Sequence, residues 1–368
     1  MSTVAEPTFA NIPTVSNRKL NILVLGVGGN VSQGILKALA FSKLDYRVIG
    51  ACTVPHAFGL FSTDAAYISP AANAPEFLDW LFKICRTEKV DVIASGVEPV
   101  LHVLASNRAK IESLTGAKCL TNTLAAMEIG ADKTRTCEWL KAHGFTYPQF
   151  ANAANESALQ ELERNCSFPL IAKPRIGKGS QDIFVLNSSA ELDRIRGDDN
   201  FVVQEYLGDD QSEYTASCLT DRDDQVRGVI VFHRFLTGGT TSCAVAGEFP
   251  EMRDLARRIA EKLKPKGPCN VQMRMHKGHP VCFELNVRFS GTTPIRARLG
   301  FNDVEAAISH YALEQPAMDL PLITEGQAVR YWNEAYVSPK AAQTIIREGK
   351  LHDTKSHPFE IENYGFRT

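Results

Sequence analysis

The chain has 368 residues, 44% of them hydrophobic and 22% charged, with a net charge of −2. That length and apolar content provide ample core for two or three structural domains. So small a charge gives no electrostatic reason to expect nucleic acid or an anionic membrane as a partner. Nine cysteines, at 52, 85, 119, 137, 166, 218, 243, 269 and 282, are scattered and never form CxxC, so they read as reduced thiols and not as a disulfide framework or zinc site. The N-terminal residues lack a charged region followed by an apolar block, and no stretch reaches the apolar length of a membrane span. The expected location is cytoplasmic.

Residues 1–18 are expected to be a flexible N-terminus. LNILVLGVGG (20–29) is a buried-strand run ending in glycines, VSQGILKALAFSK (31–43) has helical spacing, and YRVIGACT (46–53) is a second strand. PEFLDWLFKICRTE (75–88) predicts another helix and VDVIASG (90–96) another strand. This alternation predicts a doubly wound, parallel-sheet α/β domain over 19–125. The turn GVGGNVSQG suggests a dinucleotide fingerprint, but the third glycine position is Val31 and no acid closes the second strand, which ends in Ala51, Cys52 and Thr53. Glycines that merely permit a tight turn are the better reading, and an NAD-dependent oxidoreductase is a weak rival.

After residue 150 the pattern changes. FPLIAKP, DIFVLN, FVVQEYL, YTASCLT and VRGVIVFHRF alternate with shorter helices, which predicts an α+β body with antiparallel sheets. We assign residues 126–320 to this body, with a small lobe at about 135–207, and residues 321–368 to a C-terminal extension packing on it. That extension carries no legible chemistry and is expected to cover a sheet edge or the far side of the lobe.

Four stretches carry candidate chemistry. In ADKTRTCEWLKAHG (131–144) Asp132 reads as a helix cap and Gly144 as the stop, placing Lys133 in the first turn, where the dipole favours an anion. A plain surface lysine reads as well. In FPLIAKPRIGKGS (168–180) Lys173 ends an apolar strand beside a glycine loop whose amides could approach a phosphate. FVVQEYLGDDQSEY (201–214) runs from strand to turn, with Glu205 and Glu213 bracketing the turn; either acid could simply be solvated.

The fourth stretch is CNVQMRMHKGHPVCFELNVRFSGTTP (269–294). Alternation puts Phe283, Leu285, Val287 and Phe289 on one strand face and Glu284, Asn286 and Arg288 on the other. If Gln272 faces the same side as Glu284, the hairpin needs an odd loop, for example Lys277, Gly278 and His279. Gln272, Glu284 and Asn286 then converge as three hard oxygen donors suited to Mg²⁺, with Arg288 placed for a transferred phosphoryl group. A solvent-facing polar stripe is the alternative.

Taken in order, these pieces resemble the ATP-grasp superfamily, in particular a single synthetase half of the carbamoyl phosphate synthase large chain, over roughly residues 20–315. The resemblance implies a Rossmann-like first domain preceding two lobes that clasp ATP. It implies that Lys133 and Lys173 contact ATP phosphates and that Gly177, Lys178, Gly179 and Ser180 close over them. It further implies Glu205, Tyr206 and Leu207 at adenine, partly through backbone groups, and Glu213 on the ribose hydroxyls. Glu284 would bridge magnesium ions, with Gln272 on one and Asn286 on the other, and Arg288 would face the γ-phosphate. Many members have an acid where Gln272 stands, so either one or two Mg²⁺ ions are expected, with Mn²⁺ as a substitute.

The activity implied is ADP-forming ligation: a small carboxylate, such as that of an amino acid, becomes an acylphosphate that an amine attacks. The chain has one synthetase half and no glutaminase, and Leu236 replaces the histidine found in synthase halves; both argue against bicarbonate. Arg234, Arg296 and Arg298 are candidates for gripping a substrate carboxylate, and Glu98, in SGVEPV, could reach the cleft from the first domain. FLTGGTTSCAVAG (235–247) is either a flap over the acceptor or an ordinary hairpin turn. Homodimers are frequent among relatives. An ATP-binding protein without turnover is the alternative from a different class, and the intact set Lys133, Lys173, Glu284, Asn286 and Arg288 argues against it.

Overall fold

The computed structural model describes residues 19–177, 182–208 and 210–362. Leu20–Leu25 forms β1, with only Asn21 not fully buried. Parallel to it run β2 (Tyr46–Cys52), β3 (Ala65–Ile68), β4 (Val92–Ser95) and β5 (Lys118–Cys119), in spatial order β3-β2-β1-β4-β5. Both faces of this sheet are covered, which is why its strands are almost continuously apolar. Ile22 and Val24 pack with Ile35 and Leu39 of the helix Asn30–Leu39, while Leu23 and Leu25 pack with Phe77 and Leu81 of the helix Phe77–Thr87.

At the carboxyl ends of β1 and β4 two strand-to-helix turns are tied together. The Ser32 hydroxyl donates to the Leu25 carbonyl at 2.8 Å and accepts from the Gly96 amide at 2.9 Å. Gly26 has φ +72°, and a Cβ there would lie 2.3 Å from Val97 Cγ2. The glycine therefore serves turn geometry and close packing.

Next comes a four-stranded antiparallel sheet of β6 (Phe150–Asn152), β7 (Leu170–Pro174), β8 (Phe184–Leu186) and β9 (Phe201–Glu205), ordered β6-β9-β7-β8. The helix Glu156–Asn165 covers it, with Leu159 and Leu162 against Ala172 and Val203. This is the small lobe. The preceding helix Lys133–Ala142 sits differently, since Leu140 and Phe145 pack with Ala256 and Leu285 of the large body. The small lobe's own core starts at Ala151.

The large body is a six-stranded antiparallel sheet of β10 (Glu213–Thr220), β11 (Val226–Thr237), β12 (Thr240–Ala246), β13 (Pro268–His276), β14 (His279–Asn286) and β15 (Gly326–Val329), ordered β14-β13-β10-β11-β12-β15. The helix Pro250–Leu263 packs Leu255 and Ile259 on one face, against Ala216, Val229 and Val271. The other face carries Glu213, Thr215, Asn270, Gln272 and Glu284 into a cleft. The C-terminal residues close two sheet edges: β15 pairs with β12, and Lys350–Leu351 pairs antiparallel with β3. Among the described residues no helix is long and apolar enough to cross a membrane.

Candidate active site

The cleft encloses about 780 Å³ where the three bodies meet. The first-domain turns Gly29–Ser32 and Gly96–Glu98 form one end, β7 and β9 one wall, and the open face of the large sheet the other.

On the small-lobe side Asp132 caps the helix Lys133–Ala142, accepting from the amides of Thr134 at 2.8 Å and Arg135 at 3.4 Å. Burial alone would raise its pKa, but the Arg175 guanidinium, 2.7 Å away, and the cap hydrogen bonds hold it below the usual carboxylate range. Lys133, at the first helical position, points its ammonium at the loop after β7 and donates to the carbonyls of Pro174 at 3.1 Å and Gly177 at 3.4 Å. Lys173 ends β7 with its Nζ 4.9 Å above the Phe283 ring. Desolvation draws its pKa down to about 8, against the opposing charge of Glu284. Neither lysine has an ion-pair partner among the described residues. Gly177 lines the cleft; the rest of the expected glycine loop, Lys178, Gly179 and Ser180, lies outside the described residues.

The facing wall is built on the β13–β14 hairpin. Gln272 does pair with Glu284, but not through a three-residue loop. The turn is two residues, Lys277 and Gly278, both at positive φ (50° and 81°), with His276 opposite His279. A bulge then shifts the register, so that Met273 pairs with Cys282 and Gln272 with Glu284. Phe283 is the extra residue. It leaves the apolar face predicted for it and turns toward the cleft with Leu207 and Val281, while Cys282, Leu285 and Val287 join the large-body core.

Asn270 and Asn286 lie opposite one another, next to the Gln272–Glu284 pair. Asn286 Nδ2 donates to Glu284 Oε1 at 2.8 Å, which leaves Glu284 Oε2 and Asn286 Oδ1 without a partner among the described residues. Gln272 Oε1 is engaged otherwise, accepting from Arg234 Nη2 at 2.9 Å. No group of three or more His, Cys, Asp or Glu among the described residues could hold a metal ion. What the wall offers is one carboxylate with amide oxygens beside it, a hard-donor set that fits Mg²⁺ when phosphate oxygens and water complete the shell.

Glu213 departs from the expected ribose contact. It is 3% exposed, and its two oxygens accept four hydrogen bonds: Arg234 Nε at 2.9 Å and Arg234 Nη2 on Oε1, and Arg274 Nε at 3.3 Å and Nη2 at 2.8 Å on Oε2. A carboxylate has about four lone-pair sites, so none is left for a hydroxyl. The two arginines outweigh its burial and keep it ionised. Arg234, expected to grip a substrate, is committed to this cluster. Glu205 lines the cleft, yet its carboxylate reaches the hairpin turn, 3.0 Å from His276 Nε2 and 2.8 Å from Lys277 Nζ. Tyr206 and Leu207 continue the wall beside it.

At the first-domain end, Arg288 reaches across to Glu98, donating from Nη2 at 2.7 Å and Nε at 3.0 Å to Oε1, and from Nη1 to the Phe289 carbonyl. The arginine expected at a γ-phosphate thus bridges two bodies. Arg296 is overturned as a substrate ligand: it is 0% exposed and paired with equally buried Asp303 at 2.7 Å. Arg298 is exposed over Phe41, away from the cleft lining. Residues 235–247 form a hairpin, with Gly238 and Gly239 as its turn.

Two cleft residues escaped the sequence reading. Gln204 and Asn270, each 1% exposed, leave Oε1 and Oδ1 respectively buried without a partner among the described residues. The motif QEYL and the alternating NVQMR contained both residues, but only the surroundings reveal the orphaned oxygens.

Two family models match the chain: "PylC-like, N-terminal domain" over residues 22–119, and "ATP-grasp in the biosynthetic pathway with Ter operon" over 198–335. The carbamoyl phosphate synthase large chain of Methanosarcina barkeri is 24% identical over 307 residues, covering 75% of this chain and 28% of the relative, so the chain spans little more than a quarter of that protein. Among solved structures, N5-carboxyaminoimidazole synthetase from Staphylococcus aureus, complexed with ADP, superposes with a TM-score of 0.65 at 14% identity, over 87% of this chain and 83% of that one. Biotin carboxylase from Campylobacter jejuni, in a β-γ-ATP complex, gives 0.66 at 14% identity, over 86% and 78%.

Proposed function

Because the chain belongs to the ATP-grasp superfamily, we propose that it is an ADP-forming carboxylate–amine ligase acting on a small carboxylate such as an amino acid. The observation that carries this reading is the asymmetry of the cleft. Two ammonium groups without carboxylate partners among the described residues, Lys133 and Lys173, face an oxygen-donor wall of Glu284 and Asn286 across a space of about 780 Å³. A nucleotide triphosphate supplies the anion that the first wall lacks, and a divalent cation supplies the charge that the second needs.

In this reading Lys133 and Lys173 hold the phosphates, and Gly177 begins the loop over them. Glu205, Tyr206 and Leu207 form the strand beside adenine, and the orphaned Gln204 oxygen accepts from an exocyclic amino group. Glu284 and Asn286 would hold Mg²⁺, which when bound neutralises charge on the transferring phosphoryl group. Arg288, fixed by Glu98, orients the acceptor end, and the second oxygen of Glu98 remains available to an incoming amine. The γ-phosphorus bonds to a carboxylate oxygen as its bond to ADP breaks. The amine nitrogen then attacks the acyl carbon, phosphate departs, and the nitrogen loses a proton. Closing the cleft excludes water that would hydrolyse the acylphosphate.

The test is phosphate release from Mg·ATP across a panel of amino acids, other small carboxylates, bicarbonate and amines. Release stimulated by one carboxylate–amine pair is expected. Tight ATP binding with no release under any pair would overturn the ligase reading in favour of a nucleotide-binding protein without turnover.

A further inference from the structure

Among the described residues the Asn270 oxygen has no partner, and its position explains what it lacks. Asn270 is 1% exposed and lines the cleft, yet Oδ1 is buried without a hydrogen bond. Leaving a buried acceptor unsatisfied costs about 1–3 kcal/mol, so native folds seldom keep one without a reason. A rotated amide does not remove the problem. Nδ2 lies 3.0 Å from the Ala216 carbonyl, which can only accept, and also faces Thr215 Oγ1 at 2.8 Å and Ser217 Oγ at 3.4 Å. Three contacts to β10 therefore lock the nitrogen toward that strand and turn the oxygen away from it.

Away from β10, on the neighbouring strand, Asn270 meets Asn286, its cross-strand partner, and beyond it the Gln272–Glu284 pair. The groups on this side are acceptors: Asn286 presents Oδ1, because its nitrogen is given to Glu284, and Glu284 presents Oε2. Oxygen lone pairs gathered on one face repel unless a cation stands among them. Gln272 Oε1 is already held by the Arg234 guanidinium, so the oxygen that completes the set without breaking another contact is that of Asn270.

We propose that Asn270 Oδ1 is a ligand of the divalent cation in this cleft, held on a rigid amide pinned by Thr215, Ala216 and Ser217, alongside Glu284 and Asn286. This rests on the Mg·nucleotide reading above and extends it to a residue that reading does not use.

Mn²⁺ titration followed by electron paramagnetic resonance, with the full-length protein and ADP, tests the assignment. Asn270→Ala should weaken Mn²⁺ binding by about tenfold or more, while ADP affinity without metal and the melting temperature change little. Asn270→Cys should shift preference from Mn²⁺ toward Cd²⁺ and add a thiolate-to-cadmium absorption band over the wild-type spectrum, because a sulfur ligand favours the softer ion. A merely structural asparagine would produce neither the shift nor the band. If Asn270→Ala fails to fold, Asn270→Ser, which is too short to reach the cation yet polar enough for the pinned site, takes its place with the same expectation. Wild-type Mn²⁺ affinity in a folded alanine or serine variant, or an unchanged Cd²⁺ preference in the cysteine variant, overturns the proposal alone. Failure of the wild-type protein to bind either ADP or Mn²⁺ overturns the nucleotide reading, and this inference with it.

Discussion

The two walls of the cleft handle charge in opposite ways. On the large sheet, Glu213 is matched within the wall by Arg234 and Arg274, and Arg288 is matched across the cleft end by Glu98 of the first domain. On the small-lobe side, Lys133 and Lys173 point into the same space, and among the described residues they meet carbonyls and a ring face but no carboxylate within ion-pair distance. The lysines sit beside a loop and at a strand end, where partners can change, whereas the paired cluster sits on a rigid antiparallel sheet. The difference teaches that the sheet wall positions while the small-lobe wall waits for an anion. Glu284 is the exception on the sheet, an acid whose second oxygen is uncommitted, and it faces the cationic wall.

The sharpest way to break this comparison is to remove that exception. Glu284→Ala should lower ATP turnover by about 10²–10³-fold or more, measured as phosphate release, with the melting curve nearly unchanged. Retained activity at saturating Mg²⁺ would deny the sheet wall its part. It should also lower the Lys173 pKa further, since Glu284 is what opposes the desolvation there.

A second substitution probes charge outside the cleft. Arg296 and Asp303 are both fully buried, 2.7 Å apart, and Arg296 also donates to Ser290 and Thr292. Arg296→Ala strands Asp303 and should cost about 3–5 kcal/mol of stability, read from urea denaturation. Metal-free ADP affinity in the variant that still folds should stay within about twofold. A large loss of carboxylate affinity with unchanged stability would restore the substrate role that the geometry removes.

The doubly wound first sheet was legible because burial on both faces leaves long apolar runs, and Asp132, Lys133 and Lys173 were legible because caps and strand ends have local signatures. The partners of Arg234 and Glu213 were not, because they lie on different strands, 21 and 61 residues apart in sequence, and meet only through a register that no local pattern encodes. The hairpin shows the limit clearly. Alternation predicted Gln272 beside Glu284, but the chain achieves it with a two-residue turn and a bulge at Phe283, so Cys282 enters the core and Phe283 turns to the cleft, while Glu284, Leu285 and Asn286 keep the faces alternation gives them. The C-terminal extension was silent because its strands are two to four residues long and gain meaning only from the sheet edges they complete.

Lys173 sharpens the comparison through pH. Its folded pKa of about 8 is below its ordinary 10.5, so between these values the unfolded chain binds more protons than the folded one. Stability of the empty protein should therefore rise with pH across about 8 to 10.5, other groups aside. Nucleotide affinity should move the other way, because the ammonium that meets phosphate is lost above pH 8: up to about tenfold per pH unit for one linked proton. Calorimetric ADP titrations at several pH values check this, and Lys173→Arg, which stays charged, should flatten the affinity profile. A flat wild-type profile would mean that Lys173 does not meet the nucleotide.

The smallest expected effect concerns the seam between the walls. Glu205 lies on the small-lobe strand lining the cleft, but its carboxylate reaches over to the large-sheet hairpin, where Lys277 and His276 hold it below the usual range even though burial alone would raise it. Lys277 is 75% exposed, so Lys277→Ala should barely change stability, seen as a slight drop in melting temperature that salt also produces in the wild type. Glu205→Gln should leave ADP affinity within about twofold, since its side chain faces the seam, and the Gln204 oxygen and the strand backbone are what that strand offers to a base. A tenfold loss of ADP affinity in Glu205→Gln would place its carboxylate on the nucleotide, and the seam would then be part of the binding wall.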